Sequence, residues 1–405
     1  PAIGSMFYIY IKVDASTKKL KRSLDRADLM TERYSVTAED VRAEVNDIPG
    51  FSEISHYLET TGHNPTYKDT DVTYYPMGEL YWQALLEELE GAENFIFMEF
   101  FVIAEDSVMW QSVLDVLKRK AAAGVEVRFI YDGMCSLVLV PVGYYKELRR
   151  MGIECKQYEP IVPVFSTAQN NRDHRKIAVI DGKAAFTGGI NLSDEYVNVT
   201  HPYGRWKDTA VKLEGKAVQG FTKMFLEMWN ITEKTPESPD MYMENIDFRD
   251  VSGDGYVIPY GDNMPNGIDI AESVYLDILN TAHRYVHIFT PYLILTQEML
   301  MALTFAARRG VEVKIILPGI PDKKFVYFMA RSYYPVLMEA GVKVYQYTPG
   351  FDHAKVFISD DVRATVGTIN MDFRSFYHHF ECAAYIFGNK CIKEIEQDFC
   401  DTIEQ

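Results

Sequence analysis

Hydrophobic and polar positions are distributed in three regimes along the chain. Residues 12–70 are polar and helix-leaning, without a continuous apolar face. From about residue 72, amphipathic stretches with helical spacing alternate with short apolar runs of strand length. This alternation predicts α/β architecture, with parallel-type sheets carrying helices on their faces. Residues 231–262 are rich in Asp, Glu, Pro, Gly and Asn and lack sustained periodicity, so they read as a linker. The apolar pattern then restarts.

The two patterned regions resemble each other. AENFIFMEFFVI (92–103) matches AHRYVHIFTPYLI (282–294), each a strand-like run after an amphipathic helix. AAAGVEVRFIYDG (121–133) matches AARRGVEVKIILPG (306–319): a helix end, a glycine cap and a buried strand. YYKELRRMGIECKQYEP (144–160) matches YYPVLMEAGVKVYQYTP (333–349) in the same way. The organisation expected is a membrane-proximal N-terminal segment (1–70), a first repeat (71–235), a linker (236–262) and a second repeat (263–405).

The repeat is tightest at two polar strings. His174, Lys176 and Asp181 are followed by Gly188 and Asn191, and His353, Lys355 and Asp360 by Gly367 and Asn370, with identical spacing. A duplicated His-Lys pair implies one site built by two half-molecules. In a strand, residues two apart share a face, so each His projects with its Lys. A buried Lys is rare without an anion to pair with. Asp181 and Asp360 lie at an odd offset from their histidines, which predicts a fastening role for them rather than direct chemistry. Asn191 and Asn370 can donate amide N–H groups to phosphoryl oxygens. Two Lys, two Asn and two His make a phosphodiester site that needs no metal. The cations and amides stabilise charge on the non-bridging oxygens, one His attacks phosphorus, and the other protonates the leaving oxygen. A metal site is the competing reading of the histidines, but no Cys, His or carboxylate cluster has ligand spacing. No cofactor is called for.

Composition narrows the ligand. The net charge of −17 argues against nucleic acid as a partner, while leaving room for a small phosphate ester held by local cations. The five cysteines are scattered, without C-x-x-C spacing, which predicts reduced thiols in a cytosol-facing protein. The first residues, PAIGSMFYIYIK, are apolar and aromatic and precede Lys18, Lys19, Lys21 and Arg22. That order predicts the end of a membrane anchor followed by cytoplasmic positive charge, against the alternative of a short buried segment. Fourteen residues separate Pro160 from His174 but only four separate Pro349 from His353. The first repeat thus carries an apolar-rich insertion that is expected to overhang the site.

The paired H-x-K-x4-D strings resemble the signature of the phospholipase D superfamily, and the surrounding sequence is most similar to bacterial cardiolipin synthases. DHRKIAVIDGKAAFTGGINLSDEY (173–196) and DHAKVFISDDVRATVGTINMDFRSF (352–376) carry the resemblance, together with RWKDTAVKLEG (205–215) and MEFFVI (98–103). It implies two phospholipase D-like α/β repeats packed pseudo-symmetrically around one active site. It also implies a phosphatidyltransferase working through a covalent phosphatidyl-histidine, with His174 as nucleophile and His353 as acid and then base. Phosphatidylglycerol and cardiolipin are the implied lipids, at the cell membrane. Acidic residues orienting the imidazoles are implied too: by position Glu381 for His353 and Asp208 for His174. Departures are Gly189 and Thr368 where Ser is frequent, Asp173 where Asn commonly precedes His, and His379 in place of a more usual Asn. Hydrolysis, transfer to another alcohol, and a binding role on a decayed fold are the alternatives. The sequence does not set the oligomeric state, and a homo-oligomer is compatible with it.

Overall fold

The computed structural model describes residues 15–159, 171–233, 235–244, 246–262 and 268–405. The apolar segment at the start of the chain, and nearly all of the ten-residue insertion before His174, lie outside the described residues. Among the described residues no helix is long and apolar enough to cross a membrane.

The first half contributes β1 (Thr70–Tyr75), β2 (Phe95–Phe100), β3 (Glu126–Asp132), β4 (Glu154–Tyr158), β5 (Arg172–Asp173), β6 (Lys176–Ile180), β7 (Ala184–Gly188), β8 (Arg205–Lys207) and β9 (Ala210–Gly215). The second contributes β10 (Tyr256–Asp262), β11 (Tyr285–Phe289), β12 (Glu312–Pro318), β13 (Lys343–Tyr347), β14 (Gly350–Asp352), β15 (Val356–Ser359), β16 (Arg363–Gly367) and β17 (His379–Phe387). The first sheet runs β1-β9-β7-β6-β2-β3-β4 and the second β10-β17-β16-β15-β11-β12-β13. Element for element this is one topology used twice, as the repeated sequence predicts. Strand β10 falls within the stretch expected as linker. It pairs along its whole length with β17, so the end of that stretch is the outer strand of the second sheet.

The sheets are only partly parallel. Helical crossovers join β2, β3 and β4, and β11, β12 and β13, and these pair in parallel. The segments carrying the motifs return through tight turns, so β6 with β7 and β15 with β16 are antiparallel. Strand β2 is buried at all six positions, as expected of a strand covered on both faces.

One apolar core joins the halves. Phe97, Val179 and Val211 of the first sheet belong to the same buried cluster as Val356, Ala364 and Phe380 of the second. Helix Val218–Asn230 lies in this cluster and is buried on nearly all sides, with its buried Lys223 and Glu227 paired at 3.5 Å.

Two short strands cross between the halves. Strand β5 pairs in parallel with the start of β17, placing Arg172 opposite His379 and Asp173 opposite Phe380. Strand β14 pairs in parallel with β8, placing Phe351 opposite Trp206 and Asp352 opposite Lys207. Each segment leading into a motif histidine is therefore hydrogen-bonded to the other half of the molecule.

Candidate active site

The crossing continues at the histidines. The His174 N–H donates to the Phe380 carbonyl at 2.9 Å, and the His353 N–H donates to the Lys207 carbonyl at 2.7 Å. The residues after those carbonyls are Glu381 and Asp208. The His174 Nδ1 lies 2.8 Å from the Glu381 Oε2, and the His353 Nδ1 lies 2.7 Å from the Asp208 Oδ2. The sequence-based assignment had these partners the other way round. Proximity along the chain favours Asp208 for His174 and Glu381 for His353, but the parallel pairing of β5 with β17 and of β14 with β8 carries each carboxylate to the opposite imidazole.

The lysines are placed as their spacing predicts. Lys176 and Lys355 are buried, and each donates its Nζ–H to the carbonyl of its own motif histidine, at 2.6 Å for Lys176. Lys176 also lies over the Phe101 ring, which meets His174 edge-on. The charges are mutually felt: Lys176 acts on His353 and Lys355, and Glu381 and Asp208 act on both lysines. The two motifs thus form one electrostatic site.

Burial drives both imidazoles well below their ordinary range, with Glu381 opposing this at His174 and the two lysines reinforcing it at His353. Burial also pushes Lys176 down to about 8 and Lys355 down to about 7, against the pull of Glu381 and Asp208 respectively. The two carboxylates differ. Burial raises Asp208 to about 7, although Lys355 and the Thr209 N–H favour its charge. Burial disfavours charge on Glu381 too, but His174, the hydrogen bond to it and His379 outweigh this and hold it well below the usual range. In the resting site His174 is a neutral imidazole whose Nδ1–H donates to an ionised carboxylate, leaving the Nε2 lone pair free. Asp208 and His353 share a proton that titrates near neutrality.

Thr368 and Gly189 support the carboxylates. The Thr368 Oγ1–H donates to the Glu381 Oε2. A Cβ at Gly189 would stand 2.1 Å from the Asp208 Oδ1, so this position must be glycine for Asp208 to lie where it does. The two positions suit different acids, a hydroxyl donor beside Glu381 and no side chain beside Asp208.

Asp181 and Asp360 sit away from the chemistry. Each follows its motif strand with a left-handed backbone, φ +54° and +58°. The Asp181 carboxylate accepts the N–H groups of Glu93, Asn94 and Phe95, and the Asp360 carboxylate those of His283, Arg284 and Tyr285. They pin the helix-to-strand turns entering β2 and β11, so the neighbouring strand is fastened as well as their own turn. Asn191 accepts the Val102 N–H through Oδ1 and donates to the Tyr196 hydroxyl at 2.8 Å, one of its two amide hydrogens. Asn370 donates to the Ser375 hydroxyl at 3.2 Å and keeps a buried Oδ1 without a partner. Both amides fix loops beside the histidines, a use the sequence did not reveal.

His174, His379 and Glu381 bring nitrogen and oxygen atoms within 4.8 Å of one another, the one such grouping among the described residues. Two of these atoms already bond each other across the His174–Glu381 pair, so the group reads as a proton-sharing cluster. All five cysteines are free thiols, four of them buried.

Comparison with known proteins agrees with this geometry. The family described as "Cardiolipin synthase, PLD-like domain" matches residues 85–229 and 275–403, both halves of the duplication. A Geobacillus cardiolipin synthase is 36% identical over 85% of this chain and 68% of its own length. A cardiolipin synthase of Alkalihalophilus pseudofirmus is 32% identical over all of this chain and 80% of its own. A Streptococcus mutans protein described as uncharacterized is 48% identical over the whole chain. Among solved structures, a phosphatidylserine synthase of Haemophilus influenzae shares the fold, with a TM-score of 0.63 at 14% identity, over 82% of this chain and 86% of that one. The chain belongs to the cardiolipin synthase family of phosphatidyltransferases with phospholipase D-like domains.

Proposed function

We propose that this phosphatidyltransferase joins two phosphatidylglycerol molecules into cardiolipin and free glycerol through a phosphatidyl group carried on His174. The observation that carries this reading is the pairing of each motif imidazole with a different buried carboxylate of the other half, His174 with Glu381 and His353 with Asp208; burial raises Asp208, whereas the charge of Glu381 is favoured.

In the first step the His174 Nε2 attacks phosphorus, and the bond from phosphorus to the headgroup glycerol oxygen breaks. The proton shared by Asp208 and His353 moves to His353, whose Nε2–H delivers it to the departing oxygen. Glu381 matches the positive charge that appears on His174. Lys176 and Lys355 regain full charge against the phosphoryl oxygens, with Asn191 and Asn370 at the rim. In the second step His353 takes the proton of the incoming glycerol hydroxyl. That oxygen bonds to phosphorus, the phosphorus–nitrogen bond breaks, and His174 is released.

A bilayer is the source of both lipids. Two equivalent connections, one after β3 and one after β12, present exposed apolar side chains: Leu137, Val138 and Val142 in the first, Phe325 and Phe328 in the second. The first begins at Cys135, bonded to the Phe101 carbonyl beside His174, and the second at Asp322 and Lys323, whose charges act on His353. In a chain of net charge −17, residues 134–150 and 320–331 each sum to +2, which suits an anionic lipid surface.

The test is product analysis. Purified protein given vesicles of isotope-labelled phosphatidylglycerol is expected to yield cardiolipin and glycerol in equal amounts. Phosphatidic acid as the sole product would replace this reading with hydrolysis.

A further inference from the structure

His379 stands two residues before Glu381 in β17, where the equivalent strand of the other half has Trp206 two residues before Asp208. The two rings occupy matching places in the crossing strands but differ in chemistry. The imidazole of His379 has two ring nitrogens, one able to donate and one able to accept a hydrogen bond, whereas the indole of Trp206 has a single N–H donor. Trp206 packs on His353 with ring centroids 5.3 Å apart, and His379 packs on His174 at 5.4 Å.

The Glu381 carboxylate is occupied unevenly. Its Oε2 receives both His174 and the Thr368 hydroxyl. Its Oε1 is buried without a hydrogen bond, and the His379 Nδ1, likewise buried and unbonded, faces it at 3.5 Å. A small ring rotation closes that gap. Among the described residues no such second imidazole addresses Asp208.

We infer that His379 is a positioning residue which acts on His174 through Glu381, so that the nucleophilic half of the site is a His–Glu–His relay while the acid–base half is a His–Asp pair. This inference rests on the proposed phosphatidyl-histidine route. With the His379 Nδ1–H donating to Oε1, both oxygens of Glu381 are held and the carboxylate supports the imidazolium formed as His174 attacks phosphorus. Without that donor, Oε1 is left a buried, unpaired oxygen and the support weakens. The groups that bear on His379 are Arg172 from β5, His174, Glu381 and neighbouring His378 from its own segment, and Asp372 ahead of helix Phe373–Tyr377, with Arg374 acting on His378. Asn at this position keeps a side-chain donor.

The test compares wild type, H379N and H379F in the vesicle assay. H379N, which keeps a side-chain donor, is expected to retain transfer within roughly fivefold. H379F should lower kcat by roughly 10- to 100-fold with KM within about twofold, and H379N should restore most of it. Unchanged kcat in H379F with its thermal transition intact, or H379N as slow as H379F, would overturn the inference. If H379F does not fold, H379A read against H379N in the same way decides. Wild-type protein that forms no phosphatidyl product at any pH would instead count against the parent reading.

Discussion

Glu381 and His174, 207 residues apart in the chain, meet at 2.8 Å, and Asp208 reaches His353 in the mirrored way at 2.7 Å. Each half thus supplies one motif histidine and the carboxylate that bonds the other half's histidine.

The division of roles predicts which variant traps the intermediate. A phosphatidyl ester of nitrophenol carries a leaving group that needs no protonation. With it, His353→Asn is expected to release a burst of nitrophenolate and accumulate phosphorus on His174, because transfer of the phosphatidyl group to the acceptor hydroxyl lacks its base. His174→Asn should show neither. Peptide mass analysis of the quenched protein locates the adduct, and an adduct on His353 in the His174→Asn protein would reverse the assignment.

Burial lowers Lys176 to about 8 and Lys355 to about 7. A bound phosphodiester favours their charged forms and raises both values. Binding of a short-chain phosphatidylglycerol at about pH 8 is therefore expected to take up roughly one to two protons, and fewer at about pH 6, where both lysines already carry them. Calorimetry in buffers of differing ionisation enthalpy measures this directly. Proton release at the higher pH would contradict it.

Asp181 and Asp360 should report on stability. Asp181→Ala strands three backbone N–H groups, that of Phe95 buried, and is expected to cost about 1–3 kcal/mol in urea unfolding, with the folded fraction still turning over. At Asp360 burial opposes the charge, but the N–H groups of His283, Tyr285 and Arg284 outweigh it and hold the carboxyl below its ordinary range. Its contribution is therefore complete above the unfolded-state value and disappears as pH falls through the folded one. Asp360→Asn should accordingly weaken the protein near neutrality and converge on wild type in acid.

Gly189 offers a steric test. Its substitution by Ala drives a Cβ against the Asp208 carboxylate, and the displaced acid misplaces His353. A fall in kcat of roughly 10- to 100-fold is expected, with a thermal transition close to that of wild type. Unchanged kcat would show that Asp208 tolerates movement.

Much of this was legible in the sequence because it was written twice. Repeated strand runs, glycine caps and the spaced His, Lys and Asp predict two like α/β units around one site. The odd offset of Asp181 and Asp360 pointed to fastening, although their role comes from the left-handed turn rather than from strand parity. The crossing was not legible. Strand β5 is two residues long and β14 three, too short to show a period, and their partners lie in the other half. Sequence distance therefore assigned Asp208 and Glu381 to the wrong histidines. Strand β10 was hidden by the Pro and Gly that flank and interrupt it.

The crossing strands also bear on descent. A single half could assemble this site only against a second copy of itself, and two identical copies would have to carry the same residue opposite each imidazole. Joining the copies in one chain lifts that constraint. Position 379 and position 206 can then change separately, as can Thr368 and Gly189, and one ancestral symmetric site becomes a pair of specialised halves.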